Sequence, residues 1–288
     1  VEIIEVTKLR EVMGDKTVAI ESFEGNNLVL VDEGHRGNKD DGVWRNMRSR
    51  LAETGFCFEY SATFSQAVKA SGSKVLEQEY AKCILFNYSY KYFYEDGYGK
   101  DYRILNLAND ADTVYRRKYL TACLLSFYQQ LRLFKDRGGE FAKFLLEKPL
   151  AVFVGGSVNA VRTEEKKEVS DVTTVLLFLR EFVANGGGSS VDLLEGLMNY
   201  DASMLDQAGK AVFGRGSFDY LNTIEISPQQ AFNDMLGLVF NAAFQADLHV
   251  ELLKGTDGEL ALRLGDNEPF GVINVGDAPK LLELCSTS

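Results

Sequence analysis

The chain has 288 residues, enough for about two domains at roughly 150 residues each, and its 45% hydrophobic and 25% charged composition is that of a globular protein. Four cysteines (Cys57, Cys83, Cys123, Cys285) without a C-x-x-C pair argue against a disulfide scaffold and a thiolate zinc site. Only two histidines, His35 and His249, exclude a His-rich metal centre. The net charge of −11 argues against nucleic acid for the chain as a whole, but residues 186–288 hold 5 basic and 15 acidic residues while 1–185 hold 26 and 27, so any phosphate-tracking surface belongs to the first part.

Residues 1–6 read as a short strand and 8–13 as a short helix. After the turn-like Glu24-Gly25-Asn26, the run Leu28-Val29-Leu30-Val31 reads as a strand buried on both faces of a parallel sheet. A polar stretch leads to a helix over 43–54, with Val43, Met47 and Leu51 on one face, and then to a strand over 55–60. Strand, helix and strand in about 34 residues have the size of a βαβ unit. The aromatic region 80–105 contains an expected strand over 83–90 and a turn at Asp96-Gly97. Helices follow over 111–135 and 140–147.

The run Leu150-Ala151-Val152-Phe153-Val154 reads as a second buried strand, closed by Gly155-Gly156. A helix is expected over 172–185, ended by Gly186-Gly187-Gly188. Ser227-Pro228 supplies an N-cap and a first-turn proline for a helix to about Phe240. Residues 249–253 and 259–264 read as a hairpin, 270–275 as a buried strand, and Asp277 as the start of a final helix. No apolar run has the 18 or more residues of a membrane span and no signal peptide is visible, so a cytoplasmic protein without membrane partners is expected. The chain opens on Val1, and an internal fragment of a longer protein is expected.

Two segments concentrate the chemistry. Asp32-Glu33-Gly34-His35 follows the first buried strand, and acidic residues at the carboxyl end of a parallel strand lie where α/β folds bind ligands. Adjacent carboxylates there are costly unless a cation or water compensates them. A nucleotide hydrolase would use Asp32 to hold Mg²⁺ through a water and Glu33 to polarise the attacking water, whereas an ordinary strand end would leave both acids solvated. Ser61-Ala62-Thr63 follows the next strand and, if the βαβ unit holds, reaches the same rim. Its hydroxyls would meet the acidic group or His35 and couple nucleotide state to movement of a neighbouring domain.

In these segments the sequence resembles the superfamily 2 DEAD/DEAH-box helicases. Asp32-Glu33-Gly34-His35 is similar to their DExH motif and Ser61-Ala62-Thr63 to their SAT motif. The finer resemblance is to the restriction (Res) subunit of type III restriction enzymes, through Val31–Gly37, Phe58–Phe64, Leu150–Val158, Tyr88–Tyr94 and Phe270–Asp277. The resemblance implies two RecA-like, P-loop NTPase-type parallel-sheet lobes. Residues 1–107 would belong to lobe 1, 108–148 to a helical connector, and 149–288 to lobe 2 with an acidic insertion. It also implies ATP and Mg²⁺ at the cleft between lobes, double-stranded DNA as the track, and a DNA-methyltransferase modification subunit as a partner.

The departures are equally specific. No G-x-x-x-x-G-K-[ST] phosphate loop occurs, and Gly97-Tyr98-Gly99-Lys100 lacks both a preceding strand and the hydroxyl residue. The Q-x-x-G-R-x-x-R arginine element is also missing; Phe213-Gly214-Arg215-Gly216 copies only its centre and reads as a loop. Both elements are expected outside this chain. Gly156 and Ser157 form a weaker candidate, offering backbone N–H groups to a DNA phosphate or a plain turn. The aromatic run with Lys91, Lys100 and Arg103 would stack bases or pack as core. Arg36, Lys39, Arg45, Arg48 and Arg50, and likewise Arg116-Arg117-Lys118, would bind phosphate or form solvated helix faces. His249 and the cysteines read as structural.

The reading that results is an ATP-dependent translocase or helicase-like motor of restriction type, as a fragment without turnover by itself. Its catalytic residues would be Asp32, Glu33 and His35, with Ser61 and Thr63 coupling. The alternatives are a non-catalytic helicase-like module binding nucleic acid or protein, and a metal-dependent hydrolase using Asp32 and Glu33 without nucleotide.

Overall fold

The computed structural model describes all residues except 1, 11–13, 36–41, 100, 108–111, 156–161, 165–166, 170, 185–187, 257 and 288. The chain is a mixed α/β protein that divides into two compact units, Val1–Tyr102 and Arg103–Ser288.

In the first unit, Leu9–Arg10 (β1) and Val18–Ala19 (β2) form a minimal parallel pair, where a helix over 8–13 and a strand over 1–6 are expected from sequence. The buried Leu9 and Ile20 pack with Met47 and the partly buried Trp44, anchoring this entry segment by apolar burial rather than by local propensity.

The βαβ expectation holds at the level of connectivity. Leu28–Val31 (β3), Val43–Leu51 (α1) and Phe56–Glu59 (β4) follow one another, and the strands pair in parallel with Leu28 opposite Phe56 and Val31 opposite Glu59. Two details are corrected. The strand β3 is not buried on both faces: Val31 is 7% exposed, but Leu28 and Leu30 are 64% and 61% exposed, because side chains alternate across a strand and one face of this two-stranded sheet is open. The inward face of α1 is also rotated from the expected one. Met47 and Arg48 are buried and Trp44 and Leu51 partly so, the i, i+3, i+4, i+7 stripe, while Val43 is exposed.

Helix α2 (Phe64–Ser71) leaves the end of β4 and stops at Gly72 in a left-handed conformation (φ 66°). Helix α3 (Lys74–Cys83) follows, its N-terminus capped by the Ser73 hydroxyl accepting from Leu76 N–H. Residues 84–89 are irregular and Tyr90–Glu95 is a short helix (α4), so the expected strand over 83–90 is absent. The aromatic run is not core either: Phe86, Tyr88, Tyr90, Tyr92, Phe93, Tyr94, Tyr98 and Tyr102 are all exposed, and all but Tyr92 meet another ring of the run, Phe86 stacking on Tyr88 and Tyr90 meeting Tyr102 edge-on.

The second unit is built on one long helix, α5 (Thr113–Ala142), capped by Asp112 accepting from Val114 and Tyr115 N–H. It covers the helix expected over 111–135 from Thr113 onward but only the first three residues of the one expected over 140–147, which ends in a turn after Ala142; a break lies at Arg137 (φ −124°, ψ 23°), just before Gly138-Gly139. Ala122, Leu125 and Tyr128 of α5 pack with Phe182 of α6 (Asp171–Ala184), Leu194 of α7 (Ser189–Met198), Leu221 of α8 (Asp219–Thr223) and Phe232 of α9 (Pro228–Leu238). A capping box starts α9: Ser227 Oγ accepts from Gln230 N–H while Gln230 Oε1 accepts from Ser227 N–H.

Short antiparallel strands Arg162–Glu164 (β5) and Lys167–Val169 (β6) precede α6. The expected hairpin is present as Leu248–Leu252 (β7) and Glu259–Leu264 (β8), joined on the other side by Gly271–Asn274 (β9) into an antiparallel sheet. Leu260 and Leu262 of β8 pack with Leu176, Ala278 and Leu281, the last two from α10 (Ala278–Thr287). At Gly258 (φ 81°) an added Cβ would lie 2.4 Å from the Val275 carbonyl, so this turn requires glycine. Residues 150–154 are irregular and exposed rather than a buried strand, with Leu150 83% and Val154 88% exposed. A run of β-formers becomes a strand only where a neighbouring strand meets its backbone groups.

Candidate functional site

Parallel pairing sends the chain out of β3 and β4 at the same rim. Tyr60 N–H donates to Val31 O at 2.8 Å, and Gly34 N–H donates back to Tyr60 O at 2.9 Å, so the ladder continues one step past both strands. Asp32, Glu33 and His35 therefore lie beside Ser61, although 26 residues separate His35 from Ser61 in sequence.

The turn after β3 is made by Glu33, whose backbone is left-handed (φ 51°) and whose N–H is met by Asp32 Oδ1 at 2.9 Å. This turn brings His35 Nδ1 to 2.7 Å from Ser61 Oγ and 3.1 Å from Glu33 Oε2. The Glu33 carboxylate can only accept, whereas which of Nδ1 and Ser61 Oγ donates to the other is set by the imidazole tautomer. Ser61 Oγ also accepts from Thr63 N–H at 3.1 Å, fixing the start of α2. Asp32 and Glu33 are exposed, while the His35 side chain is 19% exposed and borders a small pocket lined by Phe64, Ala67, Val68, Leu76 and Tyr80.

Of the residues expected from sequence, Asp32, Glu33, His35 and Ser61 are brought together. Thr63 joins through its backbone; its side chain is exposed and makes no cap bond to α2. Gly156 and Ser157, with Arg36, Lys39 and Lys100, lie outside the described residues.

A second layer was not apparent from sequence. Arg48, expected on a solvated face, is 6% exposed and its Nη1 lies 2.6 Å from Glu59 Oε1, while Tyr80 donates its hydroxyl to Glu59 Oε2 at 3.1 Å. Burial pushes the Tyr80 phenol up to about 12, and the Glu59 charge adds to the rise. Arg45 pairs with Glu79 and Arg50 lies 3.7 Å from Glu21, so the described arginines of this cluster face carboxylates. The signal for Arg48 was its place in the 44, 47, 48, 51 stripe, since an arginine among buried positions requires an acidic partner.

Elsewhere, Lys118 pairs with Asp201, Arg117 donates to Ser189, and Arg103 donates to Ser217. Gly214-Arg215-Gly216 is a turn, and His249 is exposed. Cys123 is half-buried against the core of the second unit, in keeping with a structural role, Cys57 is half-buried, and Cys83 is exposed.

Mg²⁺ is commonly bound through one or two carboxylates, with water and substrate phosphates completing the shell. Asp32 and Glu33 fit that pattern as exposed, adjacent carboxylates. No cluster of three or more His, Cys, Asp or Glu suited to an all-protein metal cage occurs among the described residues. None of their helices is long and apolar enough to cross a membrane. Comparison with protein-family models, curated proteins and solved structures finds no match.

Proposed function

We propose that the Val1–Tyr102 unit is the water-handling and coupling rim of an ATP-dependent, helicase-like DNA translocase, with a fold related to a RecA-like lobe. The observation that carries this reading is the 2.7 Å contact between His35 Nδ1 and Ser61 Oγ at the shared carboxyl end of two parallel strands. An acidic pair beside one strand end and a hydroxyl beside the next is the arrangement a DExH and SAT pair would need.

In this reading Asp32 holds Mg²⁺ through water. Bound there, the ion would offset negative charge on the nucleotide phosphates. Glu33 accepts a proton from the attacking water, and its Oε2 is steadied by His35. His35 and Ser61 report that change to Thr63 and the start of α2, because Ser61 Oγ serves both. ATP is the substrate, duplex DNA the track, and a DNA-methyltransferase subunit the partner suggested by the type III restriction resemblance.

The chain has no phosphate-cradling G-x-x-x-x-G-K-[ST] loop, so the 288 residues alone are expected to show no turnover. The experiment is ATP hydrolysis by the full-length protein with and without duplex DNA. DNA-stimulated turnover that disappears in Asp32→Asn supports the motor; nucleotide-independent DNA or protein binding with no turnover supports the non-catalytic module. That second reading is favoured by the aromatic cluster from Phe86 to Tyr102, an exposed apolar patch of mutually packed rings.

A further inference from the structure

We infer that Glu59 is a positioning residue for His35: clamped by Arg48 and Tyr80, its side chain fills the space beside Gly34 and so fixes the turn that delivers the imidazole to Ser61. The catalytic meaning of this role rests on the reading of the rim as an ATPase site, whereas the positioning itself does not.

Glu59 is the last residue of β4 and stands opposite Val31, the last residue of β3. Its carboxylate is held from two directions, by Arg48 of α1 at 2.6 Å and by Tyr80 of α3 at 3.1 Å, and both charged side chains are shielded, Arg48 at 7% and Glu59 at 16% exposure. A carboxylate pinned at both oxygens leaves little freedom in the carbons that carry it.

Those carbons lie against Gly34. A Cβ at position 34 would sit 2.7 Å from Glu59 Cβ and 2.9 Å from Oε2, distances that side chains do not tolerate. Gly34 is not among the positive-φ glycines, so the position requires glycine for space rather than for backbone conformation. With Glu59 packed beside it and its N–H bonded to Tyr60 O, Gly34 is held from two sides, and the next residue is His35. Three elements, α1, β4 and α3, thus set the place of a side chain that belongs to the loop after β3.

The experiment is NMR of the 15N-labelled imidazoles. The chain has two histidines, and His249 lies on β7 of the other unit, where it serves as an internal reference. Gly34→Ala and Glu59→Ala are expected to shift the His35 Nδ1 resonance and remove the sign of its hydrogen bond, leaving His249 in place. Glu59→Gln, which keeps the volume and two polar atoms facing Arg48 and Tyr80, is expected to retain the wild-type His35 signal. Met47→Ala lowers stability of the same unit through the cluster of Leu9 and Ile20 and is expected to leave His35 unmoved. An unchanged His35 signal in Gly34→Ala and Glu59→Ala overturns the positioning role, as does an equal shift in Met47→Ala. If Glu59→Ala does not fold, Gly34→Ala decides by itself, because it leaves the Arg48–Glu59 pair chemically intact. The readout needs no nucleotide, so failure of the ATPase reading leaves this result standing, and the reverse is also true.

Discussion

His35 Nδ1 and Ser61 Oγ lie 2.7 Å apart across the ends of two parallel strands, and Ser61 Oγ at the same time accepts from Thr63 N–H. One hydroxyl thus ties the acidic turn after β3 to the first residues of α2. Replacing Ser61 by Ala removes both bonds at a partly exposed position, and a loss of about 1 kcal/mol is expected for a neutral hydrogen bond. Urea unfolding of Ser61→Ala measures it. Stability equal to wild type would show that the bonds are not maintained in solution.

The Arg48–Glu59 pair is the most buried ion pair among the described residues of the first unit. Removing one partner strands the other, which costs about 3–5 kcal/mol for a buried pair. Arg48→Ala is therefore expected to be far more damaging than Arg50→Ala, whose side chain is 42% exposed and 3.7 Å from its carboxylate. Thermal unfolding of the two variants checks the contrast, and the double replacement Arg48→Met with Glu59→Leu is expected to recover much of the loss.

The Tyr80 phenol, raised to about 12 by burial and by the neighbouring Glu59, titrates later than the ordinary tyrosine near 10. The proton is held more tightly in the folded state, so the contribution is present in full below the unfolded value near 10 and is lost as pH rises through about 12. Ultraviolet titration of Tyr80→Phe is expected to lose part of the late-ionising absorbance. A loss confined to the range near pH 10 would contradict the buried contact with Glu59.

How much of this was legible in the sequence follows from which forces act locally. The run Leu28–Val31, the helix after it and the strand ending at Glu59 carried their own periodicity, and parallel pairing then placed Asp32 and Ser61 at one rim. Arg48 was misread because Val43, Met47 and Leu51 offered an equally regular stripe; only the packing of Trp44 against Leu9 and Ile20 selects the face that buries Arg48. The aromatic run from Tyr88 to Tyr94 alternates no more like a strand than like a helix, and with no neighbouring strand to bond it, Tyr90–Glu95 became a helix. For the same reason Leu150–Val154 forms no strand with the described residues. Close packing such as that of Glu59 against Gly34 is set by contacts 25 residues apart and leaves no local pattern.

Carboxylates whose charge the fold favours link stability to acid, and they take up their protons later than ordinary ones as pH falls. Burial opposes ionisation of Asp136 and Asp201, but hydrogen bonds from Arg132 and Tyr220 to Asp136, and from Lys118 and Ser203 to Asp201, outweigh it and hold both below the usual range. Because the folded values are lowered, this stabilisation is present above the unfolded value near 3.9 and is lost as pH falls through the folded values. Unfolding midpoints of the wild type and of Asp136→Asn with Asp201→Asn are expected to converge as pH drops below about 4. A constant gap across that range would show that neither carboxylate is linked to stability.

The rim itself is tested most directly by Glu33→Gln in the full-length protein, measuring DNA-stimulated ATP hydrolysis beside nucleotide binding. Turnover is expected to fall by at least about 10²-fold, as for removal of a general base, with nucleotide binding retained. Turnover equal to that of the wild type would contradict the assignment of Glu33 and, with it, the reading of the Asp32–Ser61 rim as the place where water meets the nucleotide.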